Sequence, residues 1–362
     1  MNFFVDNIYI YIFPYLIIPF FIFYRLKIYH TKLYNFEFLS KGNTDRIRGL
    51  LALVVILHHV AQRMDNVGLM LPFCQAGSYA VSIFLFFSGY GLMTSSLKNP
   101  NYFKNFFCKR ISKVYIPFLI INIFTLSIYQ LTFNSEYSLI DKLFYTTGIK
   151  LIDSVTWYII ITLVFYVIFY ILFKNNQINV AVRRLFIYSL IFYFSCYIIK
   201  IGSWWYINSF SFPIGIYTAI NFNKICSYIE KNYTKYTIFF ILSFGILSSG
   251  IASFLLYQVF HFHFKVIIET LSSILFLPVV LLLLLKVDLR HNFLNFFGDI
   301  SYEMYLIHMK IYIILGEFLQ INKSYNILVY FIIVIMLSKG ILLFEKLLLK
   351  TIHKNTYVIK YT

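Results

Sequence analysis

Apolar runs long enough for a helix to cross roughly 30 Å of hydrocarbon, about 18 to 24 residues each, recur along the whole chain. Eleven can be placed, at about 7–24, 48–64, 77–97, 114–133, 156–173, 184–200, 204–221, 236–257, 266–286, 299–318 and 326–349. The polar stretches between them are short, the longest on the expected outer side being 134–155. No Gly/Ser linker, internal repeat or low-complexity block interrupts the series. The pattern therefore predicts one all-α, polytopic membrane domain of about eleven transmembrane helices. The first run has no basic leader and no small-residue cleavage site, and Asp6 precedes it, so it reads as a retained helix and not as a signal peptide.

Composition agrees with this reading. Of the 362 residues, 60% are apolar and 21% aromatic, and only 12% are charged, against roughly 25% in a soluble domain. An ion at the bilayer centre is disfavoured by at least ~2.5 kcal/mol, so charge is confined to loops and helix mouths. The net charge of +17 would suggest nucleic acid in a soluble protein. Here the cations sort by side instead, because basic residues gather in cytosolic loops. With the N-terminus outside, 22 Lys and Arg fall on the inner side and six on the outer, Arg63, Lys142, Lys150, Lys200, Lys265 and Lys323. That asymmetry predicts an external N-terminus and a cytosolic C-terminus, with membrane lipid and not nucleic acid as the partner. The four cysteines show no paired or metal-like spacing. His261 and His263 have no third ligand nearby, so no metal site is expected.

Against this background the stretch DRIRGLLALVVILHHV, Asp45 to Val60, stands out. From Arg48 to His59 the helix turns about 1100°, about 20° beyond three full turns, and rises about 16 Å. Arg48 and His59 thus share a face and are expected to look into one cavity, whereas His58 is rotated about 80° from Arg48. The plainer reading is a histidine bonded to a neighbouring helix and an arginine reaching for headgroups. A second polar stripe comprises Ser301, Tyr305 and His308, which fall within about 60° of one another over about 10 Å. Lys310 points about 180° from Ser301 and is expected to snorkel outward along its alkyl stem. Neither it nor Glu269 or Lys339 is given a role.

Several segments in order resemble the acyltransferase 3 family of membrane acyltransferases. The family's first core helix has an R-x10-H spacing after an Asp, met here by Asp45, Arg48 and His59. GSYAVSIFLFFSGYGL resembles its next helix at Gly77, Val81, Phe84, Phe87, Ser88, Gly89 and Tyr90. FKNFFCKRISKVYIP resembles its basic loop at Arg110, Lys113 and Pro117, TWYI at Thr156 resembles an LWFL-like segment, and FGDISYEMYLIH matches at Gly298, Ser301, Tyr302, Tyr305, Leu306 and His308. The resemblance covers about residues 40–350. Arg46, Ser82 and Lys113 depart from the family pattern, and Lys113 keeps the charge of an arginine but loses its planar fork.

The resemblance implies a ten-helix acyltransferase core over 41–350, an additional helix and cytosolic loop over 1–40, and a cytosolic tail over 351–362. It implies transfer of an acyl group, most often acetyl, from a cytosolic thioester such as acetyl-CoA to a sugar hydroxyl of a surface polysaccharide or its lipid-linked precursor. Acetyl-CoA is then a co-substrate, no cofactor is tightly bound, and polysaccharide-assembly proteins are partners at a bacterial inner membrane. Arg48, Arg110 and Lys113, with Asp45, would hold the anionic donor. His59 would act as general base or take the acyl group as a covalent relay, and Ser88, Trp157, Ser301, Tyr305 and His308 would line the acceptor side. A transporter or flippase of a lipid-linked or anionic sugar is the alternative; inverted repeats would favour it, and none is visible.

Overall fold

The computed structural model describes residues 8–30, 32–64, 66–260, 264–319 and 326–359; His261, His263 and Lys323 lie outside them. In chain order the helices are α1 (Ile10–Phe23), α2 (Lys41–Ala61), α3 (Ala76–Lys98), α4 (Ile116–Phe133), α5 (Leu139–Thr147), α6 (Trp157–Phe173), α7 (Ile178–Ile198) and α8 (Ser211–Ile220). There follow α9 (Phe222–Lys231), α10 (Tyr233–Ser248), α11 (Ile251–Phe260), α12 (Lys265–Lys286), α13 (Asn292–Asp299), α14 (Ser301–Leu319) and α15 (Asn326–Ile359). A two-residue antiparallel pair, β1 (Lys27–Ile28) with β2 (Val287–Asp288), is the only sheet among the described residues.

Six helical stretches among the described residues are long and apolar enough to cross a membrane: Gly68–Lys98, Tyr102–Phe133, Ser154–Phe173, Ile178–Ile198, Lys265–Lys286 and Ile327–Leu348. The protein is thus an all-α, multi-pass membrane protein. α2 and α14 are not in that set; they are the more polar helices, with Asp45, Arg46 and Arg48 on the first and Glu303, His308 and Lys310 on the second. Every predicted run carries helix, with two differences. The run 204–221 holds only the ten-residue α8, after a 3-10 turn at Ser203–Trp205. The run 236–257 is broken between α10 and α11 at Gly250, whose φ of +80° only glycine adopts readily. At the other extreme, α15 continues to Ile359 through most of the expected tail, a segment in which no Pro or Gly occurs after Gly340.

Large apolar side chains face outward, among them Ile123, Phe124 and Leu131 on α4 and Ile238, Phe239 and Leu242 on α10. In water such a surface would be unstable; lipid solvates it. The polar interior is instead gathered around α14, whose Met304, Leu306 and His308 are essentially inaccessible and which packs on α2, α4 and α15. α1 is docked by ring stacking of Phe13 on Phe331 of α15 (4.3 Å) and of Phe21 on Phe293 of α13 (3.7 Å).

Two glycine crossings set the helix spacings around this interior. At α3 and α8 a Cβ on Gly89 would lie 2.2 Å from the Phe212 carbonyl oxygen, and one on Gly215 2.2 Å from that of Phe86, so the backbones touch. At α2 and α13 a Cβ on Gly49 would lie 2.5 Å from the Gly298 nitrogen, and one on Gly298 2.3 Å from the Asp45 carbonyl oxygen. Arg46 fastens the same junction through Asp288 (3.3 Å), Asn295 (3.0 Å) and the Leu289 carbonyl. Gly298→Ala must push backbone against backbone beside Arg48, an overpacking that costs about 1–3 kcal/mol. Its melting temperature in detergent should fall below that of wild type; an equal temperature would mean that the crossing tolerates a methyl group.

Candidate functional site: two cavities at opposite ends of α2

The larger cavity, about 770 Å³, lies at the Arg48 end of α2. Lys41, Arg48, Lys98, Arg110 and Lys113 line it against one carboxylate, Glu37. Arg48 donates to Asp45 Oδ1 at 2.8 Å and lies 5.6 Å over the Phe87 ring, so Asp45 aims the guanidinium that it neutralises. Arg110 donates to Tyr102 Oη at 2.8 Å and is flanked by Tyr166 (5.5 Å) and Phe106 (5.7 Å). Its Nε is buried without a hydrogen-bond partner, a donor left over for a ligand.

The local backbone explains how Arg110 and Lys113 reach one cavity. A short helix, Phe106–Arg110, passes into a π turn, Ile111–Tyr115, in which Ile116 N–H bonds back to the Ile111 carbonyl. Pro117 then enters α4 without an N–H of its own. The Val114 carbonyl in this wide turn accepts from Tyr302 Oη at 2.5 Å, tying α14 to the basic segment. Ser88 donates to Tyr166 Oη at 3.1 Å, and Ser301 to the Gly298 carbonyl at 2.9 Å. A cavity with this excess of cations suits a ligand bearing several phosphate charges.

The smaller cavity, about 410 Å³, lies at the His59 end and is lined by His58, His59, Gln62, Trp157, Trp204, Glu269 and Tyr305, among others. His59 Nδ1 donates to Gln62 Oε1 at 3.3 Å; in the neutral ring this leaves the lone pair on Nε2. His58 Nδ1 donates to the Phe73 carbonyl at 2.9 Å, and its ring fills the space above Gly77, where a Cβ would come within 2.3 Å of it. His308 lines neither cavity. It sits behind His59 with ring centroids 5.2 Å apart, gives its Nδ1 proton to the Tyr305 (2.8 Å) and Met304 (3.1 Å) carbonyls, and has no partner at Nε2.

Arg48 and His59 therefore do not share a hollow, contrary to expectation. They share a helix face, but the rise of about 16 Å between them spans a partition. Tyr305 belongs to both linings, and its hydroxyl donates to the Val155 carbonyl. Of the expected residues, Arg48, Arg110, Lys113, Ser88, Ser301 and Tyr305 line the larger cavity, and His59, Trp157 and Tyr305 the smaller.

A second correction concerns Lys310. It does not snorkel. It is buried and donates to Asp153 Oδ2 at 2.5 Å and to the Leu306 carbonyl at 3.0 Å. α14 runs through the middle of the bundle, so the face opposite Ser301 meets protein and not lipid. Asp153, which sequence reasoning missed, is an N-cap: its Oδ1 accepts from Val155 and Thr156 N–H at 3.2 Å. An Asp just before an apolar run is a readable cap signature; its pairing with a lysine 157 positions away is not. Gln62, Trp204, Glu269 and Tyr302 are further lining residues that periodicity did not single out.

In the segment before this cap, outside the spanning helices, Asp141 of α5 receives a 2.6 Å hydrogen bond from Lys150, which with that from Ser138 holds its carboxyl below the ordinary range. Among the described residues no group of three or more His, Cys, Asp or Glu could hold a metal ion.

Bundle and cavities together define a class, multi-pass membrane proteins with charged chemistry buried among their helices. The sequence profile of an acyltransferase domain matches residues 42–343. The chain belongs to the acyltransferase 3 family and is a membrane acyltransferase. Comparison with curated proteins and with solved structures gives no significant match.

Proposed function

We propose that this protein transfers an acetyl group from acetyl-CoA to a hydroxyl of a surface polysaccharide, or of its lipid-linked precursor, at a bacterial inner membrane. The observation that carries the reading is the pair of cavities at the two ends of α2, one lined by cations and the other by an imidazole. On this reading the N-terminus is outside and the C-terminus cytosolic, so the cationic cavity faces the compartment that supplies the thioester. Arg48, Arg110 and Lys113 hold the donor phosphates. His59 Nε2 takes the proton of the acceptor hydroxyl as its oxygen attacks the thioester carbonyl carbon; the C–S bond then breaks and the thiolate takes up a proton. A covalent relay uses the same nitrogen as the first nucleophile, and both routes end in the same ester. Trp157 and Trp204 give the smaller cavity flat apolar faces beside Gln62 and Asn208, a lining suited to the mixed surface of a sugar. Polysaccharide-assembly proteins would deliver that acceptor.

The test supplies membranes with labelled acetyl-CoA and follows label into glycan ester. Wild type should transfer it. Arg48→Ala should raise KM for acetyl-CoA by about 10- to 100-fold, the value of a charge-assisted hydrogen bond at about 1.5–3 kcal/mol. Movement of sugar lipid across the membrane with no ester label would replace this reading with that of a transporter or flippase.

A further inference from the structure

Tyr305 is the residue common to the linings of the two cavities. Its hydroxyl donates to the Val155 carbonyl, and Tyr158 of the larger cavity packs edge-on against its ring at 5.4 Å. Val155 itself lines the smaller cavity. The position of that carbonyl is set by Asp153, whose Oδ1 binds the N–H groups of Val155 and Thr156 while its Oδ2 binds Lys310. Lys310 and Tyr305 lie on the same helix, α14, and Lys310 also bonds the Leu306 carbonyl, one residue past Tyr305. The loop and the tyrosine are thereby clasped to each other. Both charged side chains are 3% exposed, so water does not weaken the link.

We infer that the Tyr305–Val155 contact is the crossing point of the acyl group, and that Asp153 and Lys310 are positioning residues that hold it shut to water. This rests on the acetyl-transfer reading above. A thioester bound by Arg48, Arg110 and Lys113 meets the wall from one side, and the acceptor beside His59 meets it from the other. Water is a competing nucleophile in the same place. Its oxygen can attack the thioester carbonyl carbon, the C–S bond breaks, the thiolate takes one of the water's two protons, and acetic acid leaves instead of an ester. Excluding water from the site suppresses that side reaction. Loosening the clasp by a fraction of an ångström leaves both substrate cavities intact but admits water between them.

The experiment measures two products of full-length protein in membrane vesicles given labelled acetyl-CoA: free CoA thiol and label in glycan ester. Asp153→Asn with Lys310→Met removes both charges together, and Tyr305→Phe removes only the hydroxyl. The single variant Lys310→Met, which strands a buried carboxylate, is the less informative one. Each of the two test variants should raise the ratio of thiol released to ester formed by about tenfold, a part of the ~10²-fold that a 1 Å misplacement can cost in an active site. A purely structural role would lower both products together and leave the ratio where it was. An unchanged ratio in both test variants, with wild type transferring label, overturns the inference and leaves the acetyl-transfer reading standing. A wild type that forms neither product overturns that reading, and the inference falls with it.

Discussion

Replacing His59 with alanine is expected to lower kcat for ester formation by about 10²- to 10⁴-fold, the usual contribution of a positioned general base, while the KM for acetyl-CoA stays near that of wild type. The split follows from the geometry. His59 lines only the smaller cavity, whereas the cations that meet the donor line the larger one, so removing the imidazole takes away an interaction of the reaction step and not of donor binding. His59 is also a favourable residue to delete. Its ring borders a cavity of about 410 Å³, so the bundle loses little packing, and added imidazole has room to enter and restore part of the rate. Gln62→Leu makes the complementary change: it leaves the ring in place but removes the acceptor of the Nδ1 proton, and an intermediate loss is expected. Ester formation by His59→Ala within threefold of wild type would be incompatible with a base at this position, since even the weakest such contribution is about 10²-fold.

Much of this arrangement is written locally in the chain. Apolar runs locate the helices because the bilayer imposes a length, and all eleven runs carry helix. What local pattern cannot give is where a run ends inside. The segments 204–221 and 236–257 carry no charge and are mostly apolar, yet Ser203–Trp205 is a 3-10 turn and Gly250 breaks the second run, features that depend on one or two residues against a mostly apolar background. The site divides in the same way. Arg48 and His59 are visible as a spacing of eleven, because helical periodicity relates residues of one helix. Whether they meet in one space or two depends on what other segments insert between them, here Tyr305 from α14 and the Val155 carbonyl from the turn before α6. The outward direction assigned to Lys310 failed for a related reason: an angle on a helical wheel specifies a face but not whether lipid or protein lies opposite it.

The buried pair that this error concealed carries the largest stability prediction. Lys310→Met leaves the Asp153 carboxyl enclosed, with its cap bonds to Val155 and Thr156 but no counter-charge, and breaking a buried pair from one side costs about 3–5 kcal/mol. Methionine fills nearly the same volume as the lysine stem, so little of that loss comes from packing. Adding Asp153→Asn should recover most of it, because asparagine still accepts from the Val155 and Thr156 N–H groups through its amide oxygen and leaves no isolated charge behind. Unfolding of the two single variants and the double variant in mixed detergent micelles, read as a double-mutant cycle, measures the coupling directly. A coupling below about 0.5 kcal/mol, the range in which distant sites are simply additive, would mean that the two charges do not depend on each other and that the start of α6 is held by its cap alone. A coupling of several kcal/mol would place the energy that fixes the Tyr305 wall in a single contact between the loop before α6 and the central helix.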